Sequence, residues 1–291
     1  MPGAGACASA SRRACSGTTW RDAQGDDRAG RQALRQGTVL KHLFDEDGRR
    51  ALAGALGARP LLAFDFDGTL APLVSHPGQA AVPAPLARRL DRLSCLRPLA
   101  IVTGRSVDDV SGRLGFTAAF VVGNHGAEDA DVTPAVDTAP LQELRDRLAA
   151  AADALAAAGI ALEDKRYSLA LHYRQAPDRA SALRLIELLL ADLPPSVRSF
   201  PGKCVVNMVL SAAPDKFDAV ESLVQRAGCG AAIFVGDDVN DETVFRQAPA
   251  HWLTVRVGQD EPASHAAYFL AGYEQVAVLL DRMLELLEGT P

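Results

Sequence analysis

The sequence is poor in the features that cross-link a chain, anchor it or bind it to polyanions. Its five cysteines, at positions 7, 15, 95, 204 and 229, include no C-x-x-C pair. That argues against a disulfide framework or a zinc knuckle and leaves reduced thiols in a cytoplasm as the expectation. No run approaches the roughly 18–20 apolar residues that span a bilayer, so no membrane association is expected. Lys and Arg form no dense block and the net charge is −6, which argues against nucleic acid as a partner while leaving room for a local basic pocket that holds an anion. What is present suits a soluble globular protein: 48% apolar and 23% charged residues in a chain of 291, room for one large domain or two modest ones.

Residues 1–58 differ from the rest. "MPGAGACASASRRACSGTTWRDAQGDDRAGRQ" is small, polar and Arg-dotted without an apolar h-region, so a secretory signal is not expected, and Asp22, Asp26 and Asp27 disfavour a transit peptide. The composition predicts a disordered tail, with a short helix within "TVLKHLFDEDGRRALAGALG" ahead of the folded body. A natural start further downstream is the alternative reading of this stretch.

From Leu61 onward short apolar runs alternate with helical patterns. Strands are predicted at 61–66, 98–103, 119–123, 231–236 and 251–257, and helices near 84–94, 106–114, 216–227, 241–247 and 273–288. Continuous apolar strands between helices imply a parallel sheet covered on both faces, with ligands gathered at the carboxyl ends of its strands. Residues 130 to about 212 break that rhythm. Two Ala- and Leu-rich amphipathic helices flank "KRYSLALHYR", in which Tyr167, Leu169, Leu171 and Tyr173 share one face and Ser168, Ala170, His172 and Arg174 the other. A half-polar strand of this kind fits an antiparallel sheet with one open face. The expected architecture is therefore α/β: a Rossmann-like parallel sheet core (59–128 and 213–291) with an inserted smaller α/β cap domain (129–212).

Several strand ends of the core carry polar groups: Asp65-x-Asp67-Gly68-Thr69, Thr103 in "IVTGRS", Lys216 in "APDKFDAV", and Asp237, Asp238 and Asp241 in "FVGDDVNDE". One acidic strand end is readily a helix N-cap, and for Asp241 alone that reading stands level with a functional one. Two acidic ends in one sheet, with a lysine and a hydroxyl, point further. Carboxylates crowded into one crevice repel each other, and an oxygen-only donor set that needs a counter-charge suits Mg²⁺.

These segments, in this order and with a domain inserted between the second and third, resemble the haloacid dehalogenase superfamily of phosphotransferases. "DFDGTLAPLVSHP", "TGRS", "GNHGAE", "LEDKRYSLALHYRQAP", "GKCVV" and "GDDVNDE" resemble more closely its trehalose-6-phosphate phosphatase family, over about residues 60–285. The resemblance implies that Asp65, the backbone carbonyl of Asp67 and Asp237 hold the metal, with Asp238 and Asp241 assisting. Thr103 and Lys216 would hold phosphoryl oxygens. It further implies that Gly68, Arg105, His125, Glu163, Lys165, His172, Arg174, Lys203 and Asn207 are candidates for contact with sugar, phosphate or core, although a solvated sheet face remains the alternative for His172 and Arg174.

The chemistry follows from the residues. A phosphate monoester dianion repels nucleophiles, so its charge must be offset before a carboxylate can attack. Asp65 is the expected nucleophile, forming a phosphoaspartate, and Asp67 the expected acid in the first half-reaction and base in the second. The chain departs from the family pattern at Asn207, where relatives carry Glu, at Val209, where a basic residue is frequent, and at Phe217 and Asn240. Thr103 replaces a usual Ser and keeps its hydroxyl. The catalytic set is complete while the cap's specificity set is altered. The expected function is Mg²⁺-dependent hydrolysis of trehalose 6-phosphate supplied by a separate trehalose-phosphate synthase. A phosphatase for another glycosyl phosphate, such as a glucosyl- or mannosyl-glycerate phosphate, is the alternative.

Overall fold

A computed structural model describes residues 40–74, 77–132, 137–259 and 263–289. The sequence-based readings of residues 1–39, including the disordered tail, lie outside the described residues. Residues 40–58, grouped with that tail in the sequence reading, belong to the folded core. β1 (Lys41–His42) pairs with a later strand, and α1 (Glu46–Gly57) follows it. Leu43, Leu52 and Leu56 are fully or almost fully buried. Each such side chain removed from water contributes about 1.5–3 kcal/mol; α1 supplies Leu52 and Leu56, and Leu43 comes from the turn before it.

The main sheet is built from β2 (Leu61–Phe64), β3 (Leu99–Val102), β4 (Phe120–Gly123), β5 (Glu128–Asp129), β10 (Ala232–Gly236), β11 (Leu253–Val257) and β12 (Tyr268–Leu270), together with β1. Its order is β1-β12-β11-β10-β2-β3-β4-β5, with every neighbouring pair parallel except β4 and β5. The period-2 rule divides each strand between two cores. Leu62 and Phe64 face α1, α2 (Ala84–Leu96) and α9 (Glu274–Glu288), whereas Leu61 and Ala63 face α7 (Lys216–Arg226) and α8 (Glu242–Gln247). α3 (Val107–Ser111) follows β3. β2 and β10 lie side by side at the centre, so "DFDGT" and "GDDVND" leave the sheet from adjacent strands. β12, absent from the sequence-based strand list, is a three-residue strand too short to show a period.

Between β5 and α7 the chain forms a second sheet of order β6-β7-β9-β8, antiparallel throughout. Its strands are β6 (Ala161–Asp164), β7 (Ser168–His172), β8 (Val197–Gly202) and β9 (Val205–Leu210), with helices α4 (Ala139–Ala150), α5 (Ala152–Ala157) and α6 (Arg179–Leu189). Tyr167, Leu169, Leu171, Val206 and Met208 share a core with Leu144, Leu148, Leu155 and Ile186 from those helices. The other face is open only in part: Glu163 is exposed and His172 half-buried, but Ser168, Ala170 and Asn207 are buried, which the alternation argument did not anticipate. The main domain supplies part of that cover. The sheet is thus a cap whose polar face looks into the crevice.

Candidate active site

The centre of the site is Lys216. Asp215 caps α7, accepting hydrogen bonds from the N–H groups of Phe217 (2.8 Å) and Asp218 (3.0 Å), and Asp218 returns the bond to Asp215 N–H (3.1 Å). This capping box sets Lys216 as the first helical residue. Its side chain runs into the protein interior, where the ammonium donates to Asp65 Oδ1 and Asp241 Oδ1, both at 2.7 Å. Lys216, Asp65 and Asp241 are almost wholly shielded from water, so these are charge-assisted bonds at low dielectric. Burial alone would lower the Lys216 pKa; the charges of Asp241 and Asp65 outweigh it and raise the value.

Asp65 follows the last residue of β2, and its N–H donates to Val235 O across to β10 at 2.9 Å. Asp237 leaves the end of β10. Carboxylate oxygens of Asp65, Asp237 and Asp241 lie within 4.8 Å of one another. Asp241 is fully engaged as an organiser, because its Oδ2 accepts from the N–H groups of Asp237 (2.8 Å) and Asp238 (2.9 Å) while Oδ1 accepts from Lys216. Asp238 turns its Oδ1 to the N–H of Val239 at 2.8 Å, capping the turn. Gly68 has φ +82, and a Cβ there would collide with the Asp237 carboxylate; only glycine lets the loop after Asp67 pass so close.

The electrostatics leave a surplus of negative charge. Burial pushes the Asp65 carboxyl well up from its ordinary value, Asp241 and Asp237 add to that, and Lys216 opposes it. Asp237 is pushed up to about 7, chiefly by burial against the opposing charge of Lys203. Buried oxygen donors whose repulsion two lysines do not cancel fit a hard divalent cation. Asp65 and Asp237 are the side chains placed to hold one, with the Asp67 carbonyl as the further ligand that the sequence reading assigned.

Asp67 is placed differently. Arg105 Nε and Nη2 donate to its two oxygens at 2.7 and 2.8 Å, while Arg105 Nη1 donates to Asp109 Oδ2 at 2.6 Å. The guanidinium also stacks over the Phe66 ring, 5.2 Å from its centroid. Arg105, expected at the substrate, is therefore engaged by the two acids. Thr103, at the end of β3, accepts from Arg105 N–H at 3.2 Å through Oγ1, which leaves the hydroxyl proton to be donated elsewhere.

The cap residues divide into two groups. Lys203 reaches the core and donates to Asp237 Oδ2 at 2.6 Å; Lys165 donates to Gly104 O at 3.0 Å; Arg174 donates to Val74 O at 2.9 Å. Glu163 and His172 instead pair with each other at 2.7 Å. Burial would raise the Glu163 pKa, but the His172 hydrogen bond and the Lys165 charge bring it down to about 2. Asn207 is buried on β9, beside Ala170 and Phe200 in the register. His125 sits at φ +61 next to Asn124 at φ +49, with its ring edge-on to Phe200 at 5.0 Å. Burial, aided by the Lys165 and Lys216 charges, lowers its pKa well below the ordinary value.

Two further residues organise the site: Asn124, which the sequence places near the crevice and hinge, and Asp109, which escaped the sequence reading. Asn124 donates to Glu128 Oε2 (2.7 Å) and Lys165 O (3.2 Å), tying the hinge to the cap, and accepts from Ser168 Oγ. Asp109 anchors Arg105; an acid four residues after an arginine at a helix start was the available signal.

The chain is similar to known proteins over most of its length. A family model described as trehalose-phosphatase matches residues 63–272. A probable trehalose-phosphate phosphatase from Sinorhizobium fredii is 39% identical over 216 residues, spanning 70% of this chain and 80% of that protein. Trehalose-6-phosphate phosphatase from Escherichia coli is 31% identical, spanning 76% of this chain and 85% of that protein. The chain covers 59% of the length of a Mycobacterium marinum trehalose-phosphate phosphatase at 30% identity. Among solved structures, the C-terminal domain of C. albicans trehalose-6-phosphate phosphatase superposes with a TM-score of 0.69 at 21% identity, over 86% of this chain and 98% of that one, a likeness of fold.

Proposed function

The chain belongs to the trehalose-phosphatase family of phosphoric monoester hydrolases, and from that premise we propose that it hydrolyses trehalose 6-phosphate to trehalose and phosphate with Mg²⁺ as cofactor. The supporting observation is the buried group of Asp65, Asp237 and Asp241 organised by Lys216 at the carboxyl end of the sheet, inside the matched segment.

Mg²⁺ bound by Asp65, Asp237 and the Asp67 carbonyl would neutralise charge on the phosphoryl group. The residues do the rest. Lys216 fixes Oδ1 of Asp65, so Oδ2 is the atom that attacks phosphorus; the bond to the sugar oxygen breaks and a phosphoaspartate forms. Thr103 donates its hydroxyl to a phosphoryl oxygen. Asp67 gives the departing sugar oxygen a proton, then takes one from the water that hydrolyses the acyl phosphate. The Arg105 fork, bonded to both oxygens, fixes the direction of the Asp67 carboxyl for these transfers. Glu163, Lys165, His172, Arg174 and Asn207 face the substrate from the cap, which excludes bulk water on closure. The substrate would come from a separate trehalose-phosphate synthase, and the reaction is assigned to the cytoplasm. Among the described residues no helix is long and apolar enough to cross a membrane.

Phosphate release from trehalose 6-phosphate, measured beside monosaccharide, glucosylglycerate and mannosylglycerate phosphates, tests the assignment. Trehalose 6-phosphate should give the highest kcat/KM. A preference of about tenfold or more for another ester, which is about 1.4 kcal/mol of transition-state binding, overturns it.

A further inference from the structure

Lys203 stands at the tip of the β8–β9 hairpin, where Cys204 takes φ +62 to make the turn. Its position is braced on the cap side. Arg174 Nη2 donates to Lys203 O at 3.2 Å, and Tyr173 N–H donates to Cys204 O at 3.1 Å. From that tip the ammonium crosses to the core and donates to Asp237 Oδ2 at 2.6 Å. Asp237 is 2% exposed and belongs to the carboxylate group read above as the metal site. Resting on that reading, we infer that Lys203 is an internal competitor for the metal, so that cation binding at Asp237 and docking of the cap hairpin on Asp237 oppose each other.

The physical basis is repulsion between two cations at one carboxylate. An ammonium 2.6 Å from Asp237 Oδ2 and a divalent cation held by the same carboxylate repel each other at short range in a site shielded from water. Whatever the ammonium gains at Asp237, the metal must displace. By reciprocity, whatever the metal gains weakens the hairpin's hold. The displaced ammonium remains tethered at the mouth of the crevice, where an incoming phosphate dianion arrives. The exchange therefore loads the core and arms the cap in one step, and it assigns Lys203 a role before substrate binds.

The test is calorimetric titration of Mg²⁺ into the chelator-treated full chain, for wild type, Lys203→Met and Lys165→Met. Lys165 also belongs to the cap's cationic set but donates to Gly104 O, not to Asp237, so its variant reports the general effect of removing a charge. Lys203→Met should bind Mg²⁺ at least about fivefold more tightly than wild type, within the usual range of coupling between sites, and Lys165→Met should change little. In wild type, Mg²⁺ should also accelerate amide exchange across residues 202–207. Equal affinity in wild type and Lys203→Met, or equal tightening in both variants, overturns the competition and leaves the metal site standing. No Mg²⁺ binding by any of the three proteins overturns the metal reading itself, and this inference with it.

Discussion

The guanidinium of Arg105 grips both oxygens of Asp67, at 2.7 and 2.8 Å, across 38 residues of sequence. The side chain of Asp67 is 38% exposed and that of Arg105 10%, so a mostly buried, anchored cation fixes the direction of a more exposed acid. Replacing Arg105 with Met should lower turnover of a sugar phosphate by roughly 10²-fold, the scale of a lost general acid or base. Lys, a single point charge in place of a fork, should not restore it. With p-nitrophenyl phosphate, whose leaving group needs no proton, the p-nitrophenol burst should survive while the steady-state rate falls. An unchanged steady-state rate on both substrates would remove Arg105 as a positioning residue.

Asp65→Asn should abolish phosphate release by at least about a thousandfold, as expected when a nucleophile is lost. The fold should persist, since the amide keeps a similar shape and relieves repulsion with Asp241 and Asp237. Circular dichroism and a malachite-green assay on the same preparation check both halves; turnover above about a hundredth of wild type rules out the nucleophile assignment.

Lys216→Met leaves Asp65 and Asp241 buried without their shared ammonium. Breaking a buried ion pair by removing one partner costs about 3–5 kcal/mol. Urea denaturation should therefore show a stability loss of that order, much larger than for an exposed lysine. A loss under about 1 kcal/mol, the range of surface pairs, would show that the pairing is not maintained in solution.

Burial keeps His125 neutral in the folded chain, whereas the unfolded imidazole titrates near pH 6.5. Below about that pH the unfolded state takes up a proton that the folded state refuses, so this residue's contribution to stability falls as pH drops, by at most about 1.4 kcal/mol per unit. Asp237 works in the opposite sense, because its raised value, about 7, lets the folded state take up a proton first. Comparing wild type with His125→Asn isolates the histidine, and Asn tolerates the φ of +61. Between pH 7 and 5, urea unfolding should show the variant less acid-sensitive than wild type. An identical pH dependence for the two proteins would contradict the neutral buried imidazole.

Much of this molecule is written in local pattern. The apolar run "LLAF" and the alternation of "SLALH" identify β2 and β7 because strand side chains alternate faces, whatever lies beyond them. Asp215 and Asp218 mark the start of α7 for the same reason: a cap is satisfied within one turn. The alternation of β7, however, pointed to an open polar face, and at Ser168 and Ala170 that face is buried. Burial depends on what packs on top, and Ser168 pairs with Asn124 from the other domain. Residues 40–58, read as a tail with a short helix, join the core for a like reason: Leu43 before α1 and Leu52 and Leu56 within it find cover that only the folded sheet and its helices supply.

The sequence alone determined which residue types leave the strand ends and in what order, and hence the α/β architecture, the acid-lysine chemistry and the family. Only the tertiary structure decided who holds whom. Lys216 meets Asp65 across 151 residues, and Lys203 meets Asp237 across 34. A long cationic side chain has several acids within its sequence neighbourhood and more beyond it. Its choice among them is made by sheet order and cap placement, which bring one carboxylate into reach and shield that pair from water.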